Sequence, residues 1–157
     1  MKKKVRILFL CTGNSCRSQM AEGWTRHLKN DSIEAYSAGI EKHGLNQRAV
    51  KVMAEAGVDI SNHKSKIVAD LPTMHFDYVV TLCGHAHESC PFFPGTAKII
   101  HVGFDDPASL AADVRTEEEA LVHYRRVRDE IKAFVETLPE ALDKIKNHEG
   151  QDYELQL

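Results

Sequence analysis

The sequence lacks long apolar runs, internal repeats and low-complexity segments, and it carries little net charge. None of its hydrophobic stretches approaches the roughly 18 residues that a membrane-spanning helix needs, so we expect no membrane span. The formal net charge is −3, which gives no reason to expect binding to nucleic acid or to an anionic membrane. Any anion site must therefore be built locally rather than by a basic surface.

Cysteine is also scarce, with 4 in 157 residues. The lysines at 2–4 look like the start of a signal peptide, but the apolar stretch after them is too short for one, so we expect a cytoplasmic protein. In that reducing compartment the cysteines are expected to be catalytic, metal-binding or incidental rather than structural disulfides. The length and the 43% hydrophobic fraction predict a single globular domain over 1–157, with polar residues 148–157 as a frayed tail.

Apolar strand patterns alternate with helical patterns along the chain, which predicts an α/β fold with a parallel sheet. In such sheets the reactive groups collect at the carboxyl ends of the strands. The predicted elements are strands at 5–10, 32–40, 76–82 and 98–102, helices at 16–29 and 45–56, a short helix or turn before Leu71, and a long helix from Thr116 to Leu138. Thr137 and Glu140 predict a capping box that starts a further short helix after Pro139.

The first strand leads into a polar loop, Cys11-Thr12-Gly13-Asn14-Ser15-Cys16-Arg17-Ser18, where the helical period begins. Backbone N–H groups at a helix N-terminus have no intrahelical partner, and the helix dipole favours an anion there. A thiol in this position ionises readily, and the Arg17 guanidinium offers a planar set of donors to a tetrahedral oxyanion. The loop is not a Walker A motif, since it has one glycine and no Gly-Lys-Ser/Thr. We therefore predict that Cys11, Arg17 and the loop amides hold one anion.

A second pair of cysteines lies in the segment Cys83-Gly84-His85-Ala86-His87-Glu88-Ser89-Cys90, directly after the third strand. Stepwise disulfide exchange needs a flexible segment between two thiols, so the residues favour a redox pair. A zinc site built from Cys83, His85, His87 and Cys90 is a second interpretation, although this spacing matches none of the common zinc motifs. A solvated loop with incidental cysteines is the third.

Three reactive features follow three strand ends, which predicts one shared site. Cys11 follows the first strand, Cys83 follows the third, and Asp105 and Asp106 come shortly after the fourth. Because parallel strands bring their carboxyl ends to one edge of a sheet, these side chains are expected to lie close together.

These residues together carry a family resemblance. The loop Cys11-x5-Arg17-Ser18 after a strand resembles the signature of the low-molecular-weight protein tyrosine phosphatase fold. With Cys83, Cys90 and the pair Asp106-Pro107, the chain resembles the thioredoxin-coupled arsenate reductases over most of its length, from Val5 to about Leu138. The resemblance implies a three-layer α/β/α fold with a central four-stranded parallel sheet.

The resemblance also implies a mechanism for arsenic detoxification. The Cys11 thiolate attacks arsenate to form a covalent Cys11–arsenic adduct, and Asp106 protonates the leaving oxygen as general acid. Cys83 then attacks Cys11 and releases arsenite, and Cys90 attacks Cys83 to form the disulfide that thioredoxin reduces. The chemistry needs no bound cofactor. The implied substrate-binding residues are Thr12, Gly13, Asn14, Ser15, Cys16, Arg17 and Ser18.

Several residues keep more than one interpretation. Asp105 is the neighbouring candidate for the acid, but the family pattern places the acid directly before Pro107. Ser18 is expected to bond the Cys11 sulfur, to cap the helix, or both. Asn14 is expected to shape the loop in a left-handed or side-chain-bonded turn. Cys16 is expected to be a small packed residue. Glutaredoxin is an alternative reductant to thioredoxin, and a monomer is the default.

In some relatives an alkali cation binds beneath this loop, and Glu22 and Ser37 are the residues that could hold one here. The ammonium group of Lys66 could replace that ion, so we predict no bound metal.

Two other functions compete with this interpretation. A low-molecular-weight tyrosine phosphatase needs Cys11, Arg17, Ser18 and Asp106 but neither Cys83 nor Cys90. Such phosphatases carry tyrosines after the Asp-Pro pair, whereas Ala108-Ser109-Leu110-Ala111-Ala112 follows here. A zinc-bearing or redox-sensing binding module is the non-enzymatic alternative, and it leaves Cys11 and Arg17 unexplained.

Overall fold

The computed structural model describes residues 3–83, 96–144 and 153–154. The described elements follow the predicted order, with a further short helix and a fifth strand, and a 3-10 turn at Val68–Asp70 lies where a short helix or turn was expected. The strands are β1 (Val5–Cys11), β2 (Ile33–Gly39), β3 (Tyr78–Thr81), β4 (Lys98–His101) and β5 (Tyr153–Glu154). The helices are α1 (Arg17–Lys29), α2 (Gln47–Glu55), α3 (Pro107–Leu110), α4 (Glu117–Glu136) and α5 (Glu140–Asp143).

The strands form a parallel sheet in the order β2-β1-β3-β4-β5. The α/β class and the parallel sheet of the first four strands are therefore confirmed. The short strand β5 adds a fifth position at the edge, where Tyr153 pairs with Ile100. Its residues fall inside the segment that was expected to be a frayed tail, and nothing in their pattern pointed to a strand. The free edge of β4 supplies the backbone partners that a two-residue strand cannot provide for itself.

The central strand β1 is buried on both faces, which explains its continuous apolar run. Ile7 and Phe9 are fully buried in the larger core, where they join residues of α1 and α4. Leu8 and Leu10 are fully buried in a smaller cluster on the opposite face. Because successive side chains of a strand alternate between faces, one uninterrupted apolar segment serves both cores. The α4 residues of the larger core include Ala120, Leu121, Tyr124, Val127, Ile131, Phe134 and Val135.

The helices α1, α2 and α4 begin and end within two residues of the predicted positions. Asn46 caps α2 by accepting hydrogen bonds from the backbone N–H groups of Arg48 (2.9 Å) and Ala49 (3.1 Å). The predicted capping box at Thr137 is wrong, because its hydroxyl donates backwards to the carbonyl oxygen of Phe134 at 2.6 Å. The helix α5 forms without that side-chain cap. None of the helices in the described ranges is both long and apolar enough to cross a membrane.

The register of the sheet decides where the chemistry can lie. Leu10 of β1 is level with Thr81 of β3, and Thr81 is level with His101 of β4. The chain therefore leaves β1, β3 and β4 at the same edge of the sheet. The loop at Cys11, the residues after Leu82 and the segment before Pro107 all start from this edge.

Candidate active site

The loop that follows β1 keeps its backbone amides available. The carbonyl oxygen of Thr12 accepts from the N–H groups of Ile40 (3.0 Å) and Glu41 (3.1 Å), and that of Ser15 accepts from Asn46 (3.0 Å). By contrast, no N–H group of residues 13–16 donates to an acceptor in the part of the chain that the structure describes. Consecutive unengaged amides before a helix N-terminus are the donors that bind tetrahedral anions.

The Cys11 thiol lies in a buried hydrogen-bond network. Its Sγ is 2.9 Å from Ser18 Oγ, and Ser18 Oγ accepts from Asn14 Nδ2 at 2.8 Å. Because Ser18 already accepts that bond, its own proton is available to the sulfur, and a hydrogen bond to a thiolate stabilises the charged form. The expected Ser18–Cys11 contact is therefore present. The alternative role of Ser18 as helix cap is wrong, since the N-cap residue of α1 is Cys16 and no side chain caps this end.

Asn14 shapes the loop in both of the expected ways. It is fully buried and has a positive φ of 47°, a left-handed conformation that asparagine tolerates better than most residues. Its Oδ1 accepts from the backbone N–H of Lys66 at 2.8 Å and from Gln19 Nε2 at 2.9 Å. The strained backbone is thus held by side-chain bonds to two other parts of the chain.

Arg17 reaches from the start of α1 to the ends of the neighbouring strands. Its side chain is 6% exposed, and Nη1 donates to the carbonyl oxygens of Phe104 (3.1 Å) and Leu82 (3.4 Å). Nη2 lies 4.0 Å from Asp106 Oδ2. The guanidinium is therefore fixed between the anion loop and the segment that follows β4, where it can hold an oxyanion.

The two aspartates after β4 have different surroundings. Asp105 Oδ2 lies 3.0 Å from Arg126 of α4. Asp106 faces Arg17 and caps the short helix α3, accepting from the N–H of Ala108 (3.1 Å) and the hydroxyl of Ser109 (3.0 Å). An aspartate N-cap followed by proline at the first helical position is a common helix start, and this signal for α3 was missed in the sequence. The geometry favours Asp106 over Asp105 as the acid.

Cys83 lies at the same edge of the sheet as Cys11. The N–H of Leu82 donates to the carbonyl oxygen of Leu10 at 2.8 Å, so the chain reaches Cys83 on the strand next to β1. Cys83 is fully buried. Its suggested partners Cys90, His85 and His87 lie outside the described residues. The redox and zinc interpretations depend on these partners and therefore stay predictions.

Cys16 fits the expected role of a packed residue. It is 6% exposed, and burial, together with the neighbouring Cys11 and Asp106, raises the pKa of its thiol. A neutral thiol is the stable form in such surroundings. Cys16 therefore contributes its backbone to the loop, while Cys11 is the thiol that a hydroxyl contacts.

Gly39, at the end of β2, packs against the loop and was not singled out in the sequence. A Cβ atom there would lie 2.7 Å from both the nitrogen of Asn14 and the carbonyl oxygen of Thr12. Both neighbours are backbone atoms of the anion loop, so they cannot turn aside as a side chain can. The loop conformation therefore depends on glycine at this position.

We expect Gly39→Ala to weaken phosphate binding by tenfold or more, because the loop must move to admit the methyl group. Overpacking of this kind also destabilises a fold by about 1–3 kcal/mol. Isothermal titration calorimetry with phosphate and urea unfolding measure the two effects. Gly57→Ala is the control, since Gly57 has a φ of +86° in open space. It should lose stability but keep its phosphate affinity, and equal affinities in all three proteins would contradict the expectation.

A cluster of charged side chains surrounds the buried carboxylate of Glu22 on α1. Ser37 donates to Glu22 Oε1 at 2.6 Å, and Arg26 contacts Oε2 at 3.1 Å. Lys66 Nζ and His63 Nδ1 each approach to 3.9 Å, and burial lowers the pKa of both groups. A carboxylate that already faces Arg26, Lys66 and His63 does not suit a bound alkali cation, so these residues do not fit the ion that the family resemblance raised for Glu22 and Ser37. The described ranges contain no cluster of three or more His, Cys, Asp or Glu arranged for a metal.

Known proteins share this fold and much of this sequence. Residues 6–148 match the family "Low molecular weight phosphotyrosine protein phosphatase". An arsenate reductase of Bacillus subtilis (strain 168) is 53% identical over 141 residues, which cover 87% of this chain and 99% of that protein. A solved arsenate reductase in its reduced state is similar with a TM-score of 0.67 and 31% identity, over 88% of this chain and 98% of that one. A low molecular weight protein tyrosine phosphatase from T. tengcongensis has a TM-score of 0.60 and 25% identity, over 88% of this chain and 99% of that one. This chain therefore belongs to the low molecular weight phosphotyrosine protein phosphatase family, within the group of that fold formed by the arsenate reductases.

Proposed function

We propose that this chain reduces arsenate to arsenite, with Cys11 as the nucleophile. The observation that carries the proposal is the buried Cys11 thiol, hydrogen-bonded to Ser18 at the start of a loop whose residues 13–16 donate no backbone N–H to an acceptor in the described part of the chain. The 53% identical relative is an arsenate reductase, which supports the same substrate here.

In the first step the Cys11 thiolate attacks arsenic and forms a sulfur–arsenic bond. A hydroxide leaves, and Asp106 gives it a proton so that it departs as water. The loop amides and Arg17 hold the remaining oxygens, where negative charge increases during the attack. The position of Asp106, 4.0 Å from Arg17, supports its role as the acid.

In the second step the Cys83 thiolate attacks the sulfur of Cys11. A disulfide forms between them, the sulfur–arsenic bond breaks, and its electron pair reduces arsenic(V) to arsenic(III), which leaves as arsenite. Cys90 then attacks Cys83, which frees the Cys11 thiolate and leaves a Cys83–Cys90 disulfide. The position of Cys83, two residues after the end of β3, the strand that pairs with β1, supports this order.

Thioredoxin is the proposed reductant of the final disulfide, and its own two thiols are oxidised to a disulfide in the exchange. The test follows NADPH loss in a mixture of arsenate, thioredoxin, thioredoxin reductase and the purified chain. We expect turnover that is lost in Cys83→Ser, and glutaredoxin with glutathione should not replace thioredoxin. Turnover with glutaredoxin alone would overturn the choice of reductant, and no turnover with either would overturn the activity.

Cys90→Ser should stall after one turnover with a Cys11–Cys83 disulfide, because no thiol remains to attack Cys83. Mass spectrometry of a peptide digest, after one equivalent of arsenate and alkylation of unreacted thiols, detects this linkage. Cys83→Ser is the matched control and cannot form it. Repeated turnover by Cys90→Ser would contradict the relay.

Tyrosine phosphatase activity is the second candidate, favoured by the family match. The residues of α3 after Asp106 provide no tyrosine to grip a phenyl ring. Hydrolysis of p-nitrophenyl phosphate that exceeds arsenate turnover, and that is unchanged in Cys83→Ser, would favour the phosphatase.

A further inference from the structure

A buried carboxylate is connected to the anion loop through Lys66, and its charge opposes anion binding unless it is neutralised. Glu22 is 3% exposed, and its Oε1 accepts from Ser37 of β2. Asn14 of the loop and Glu22 are both contacted by Lys66, the first by its backbone N–H and the second by its ammonium group. An unpaired negative charge at that depth would repel an oxyanion held by the loop.

The basic side chains around Glu22 differ in how strongly their positive charge can neutralise its carboxylate. Burial lowers the pKa of His63, which disfavours the charged form of that ring. The Arg26 side chain is 55% exposed and also donates to the carbonyl oxygen of Ala35, so solvent screens much of its charge. The Lys66 side chain is only 26% exposed, and its Nζ is held by the carbonyl oxygen of Lys64 at 2.9 Å.

Lys66 is also tied to the loop by its backbone. Its N–H donates to Asn14 Oδ1 at 2.8 Å, and its carbonyl oxygen accepts from Gly39 at 2.8 Å. Its neighbour Ser65 donates to the carbonyl oxygen of Gly13 at 2.9 Å. The segment thus lies between the loop and β2, and this fixes the ammonium group near Glu22.

We propose that Lys66 is a positioning residue whose ammonium group serves as the built-in counter-ion of Glu22, so that oxyanion capture by the loop needs no monovalent cation from solution. The inference rests on the oxyanion-binding part of the proposed function. It does not depend on arsenate reduction or on the later disulfide steps.

The test compares phosphate affinity with and without potassium. Phosphate protection of Cys11 against iodoacetamide gives the dissociation constant, measured in choline chloride and in potassium chloride at equal ionic strength. Wild type should bind equally well in both salts. Lys66→Met should bind about tenfold more weakly in choline chloride, because the buried carboxylate then lacks the cation that is least screened by solvent. Potassium chloride should restore part of this loss, since a small cation can occupy the vacated position.

A second substitution distinguishes charge from packing. Glu22→Gln combined with Lys66→Met should bind phosphate nearly as tightly as wild type and be indifferent to potassium, because no buried charge remains to be neutralised. Lys66→Arg keeps the positive charge, and its phosphate affinity should remain close to that of wild type. This variant provides a test of the charge even if Lys66→Met fails to fold. Lys64→Met is the control for a neighbouring exposed lysine and should match wild type.

Several results would overturn the proposal. One is a wild-type phosphate affinity that depends on potassium, and another is a phosphate affinity of Lys66→Met in choline chloride that equals that of wild type. The others are a phosphate affinity of Lys66→Met that potassium does not raise, and a Glu22→Gln/Lys66→Met variant that binds phosphate no better than Lys66→Met. No phosphate protection in wild type would instead overturn the oxyanion site of the proposed function, so the two failures are distinguishable.

Discussion

Replacing Cys11 with serine is expected to lower arsenate turnover by at least about 10⁴-fold, a larger loss than we expect from Asp106→Asn or Gly39→Ala. Removing the nucleophile of an active site that works by covalent catalysis costs this much or more. A serine hydroxyl is far less ionised than a thiol at neutral pH, and it can form no disulfide with Cys83.

The same substitution should leave oxyanion binding largely intact. The amides of residues 13–16 and the Arg17 guanidinium are unaltered, and Ser18 still has Asn14 as its partner. Calorimetry should therefore give a phosphate dissociation constant within about threefold of wild type, while the NADPH-coupled assay shows no turnover. Turnover that survives in Cys11→Ser would show that another thiol carries the reaction.

Replacing Asp106 with asparagine is expected to lower the turnover number by about 10²–10³-fold, with a smaller change in the apparent arsenate affinity. General acid catalysis contributes effects of this size, and asparagine can still cap α3 but cannot supply the proton. Asp106 is the aspartate that faces Arg17, at 4.0 Å.

Asp105→Asn is the matched control for Asp106→Asn. Asp105 pairs with Arg126 at 3.0 Å on the exposed side of α4, and its loss should change turnover less than about twofold. Steady-state kinetics on the two variants measure both effects. A larger loss in Asp105→Asn than in Asp106→Asn would reverse the assignment of the acid.

Patterns within single segments predicted most of the fold. The continuous apolar run before Cys11 predicted a strand buried on both faces, and Ile7–Leu10 are fully buried. Gly57 predicted the end of α2 and has the positive φ of +86° that such an end uses. These features depend on local periodicity and backbone preference, which a sequence displays directly. The strand β5 could not be predicted in this way, because it forms only by pairing with the edge of β4.

The placement of the candidate reactive residues at one sheet edge could be predicted, because strand ends in a parallel sheet share an edge: Cys11 ends β1, while Cys83 and Asp106 follow β3 and β4. The contacts that support these residues could not be predicted from the sequence. Gly39 matters because its backbone passes beside Asn14 and Thr12, and Arg126 matters because it engages Asp105 from a distant helix. Neither contact leaves a pattern in the residues near the loop.

The sequence by itself determined the order of strands and helices and the candidates for the nucleophile, the arginine and the relay thiols, since each depends on residue type and local spacing. Only the tertiary structure decided which aspartate meets Arg17, what holds Asn14 in its left-handed conformation, and that Lys66 faces Glu22. The physical reason is that these contacts join segments far apart in the chain, and their distances are set by the packing of the sheet against its helices rather than by any neighbouring residue.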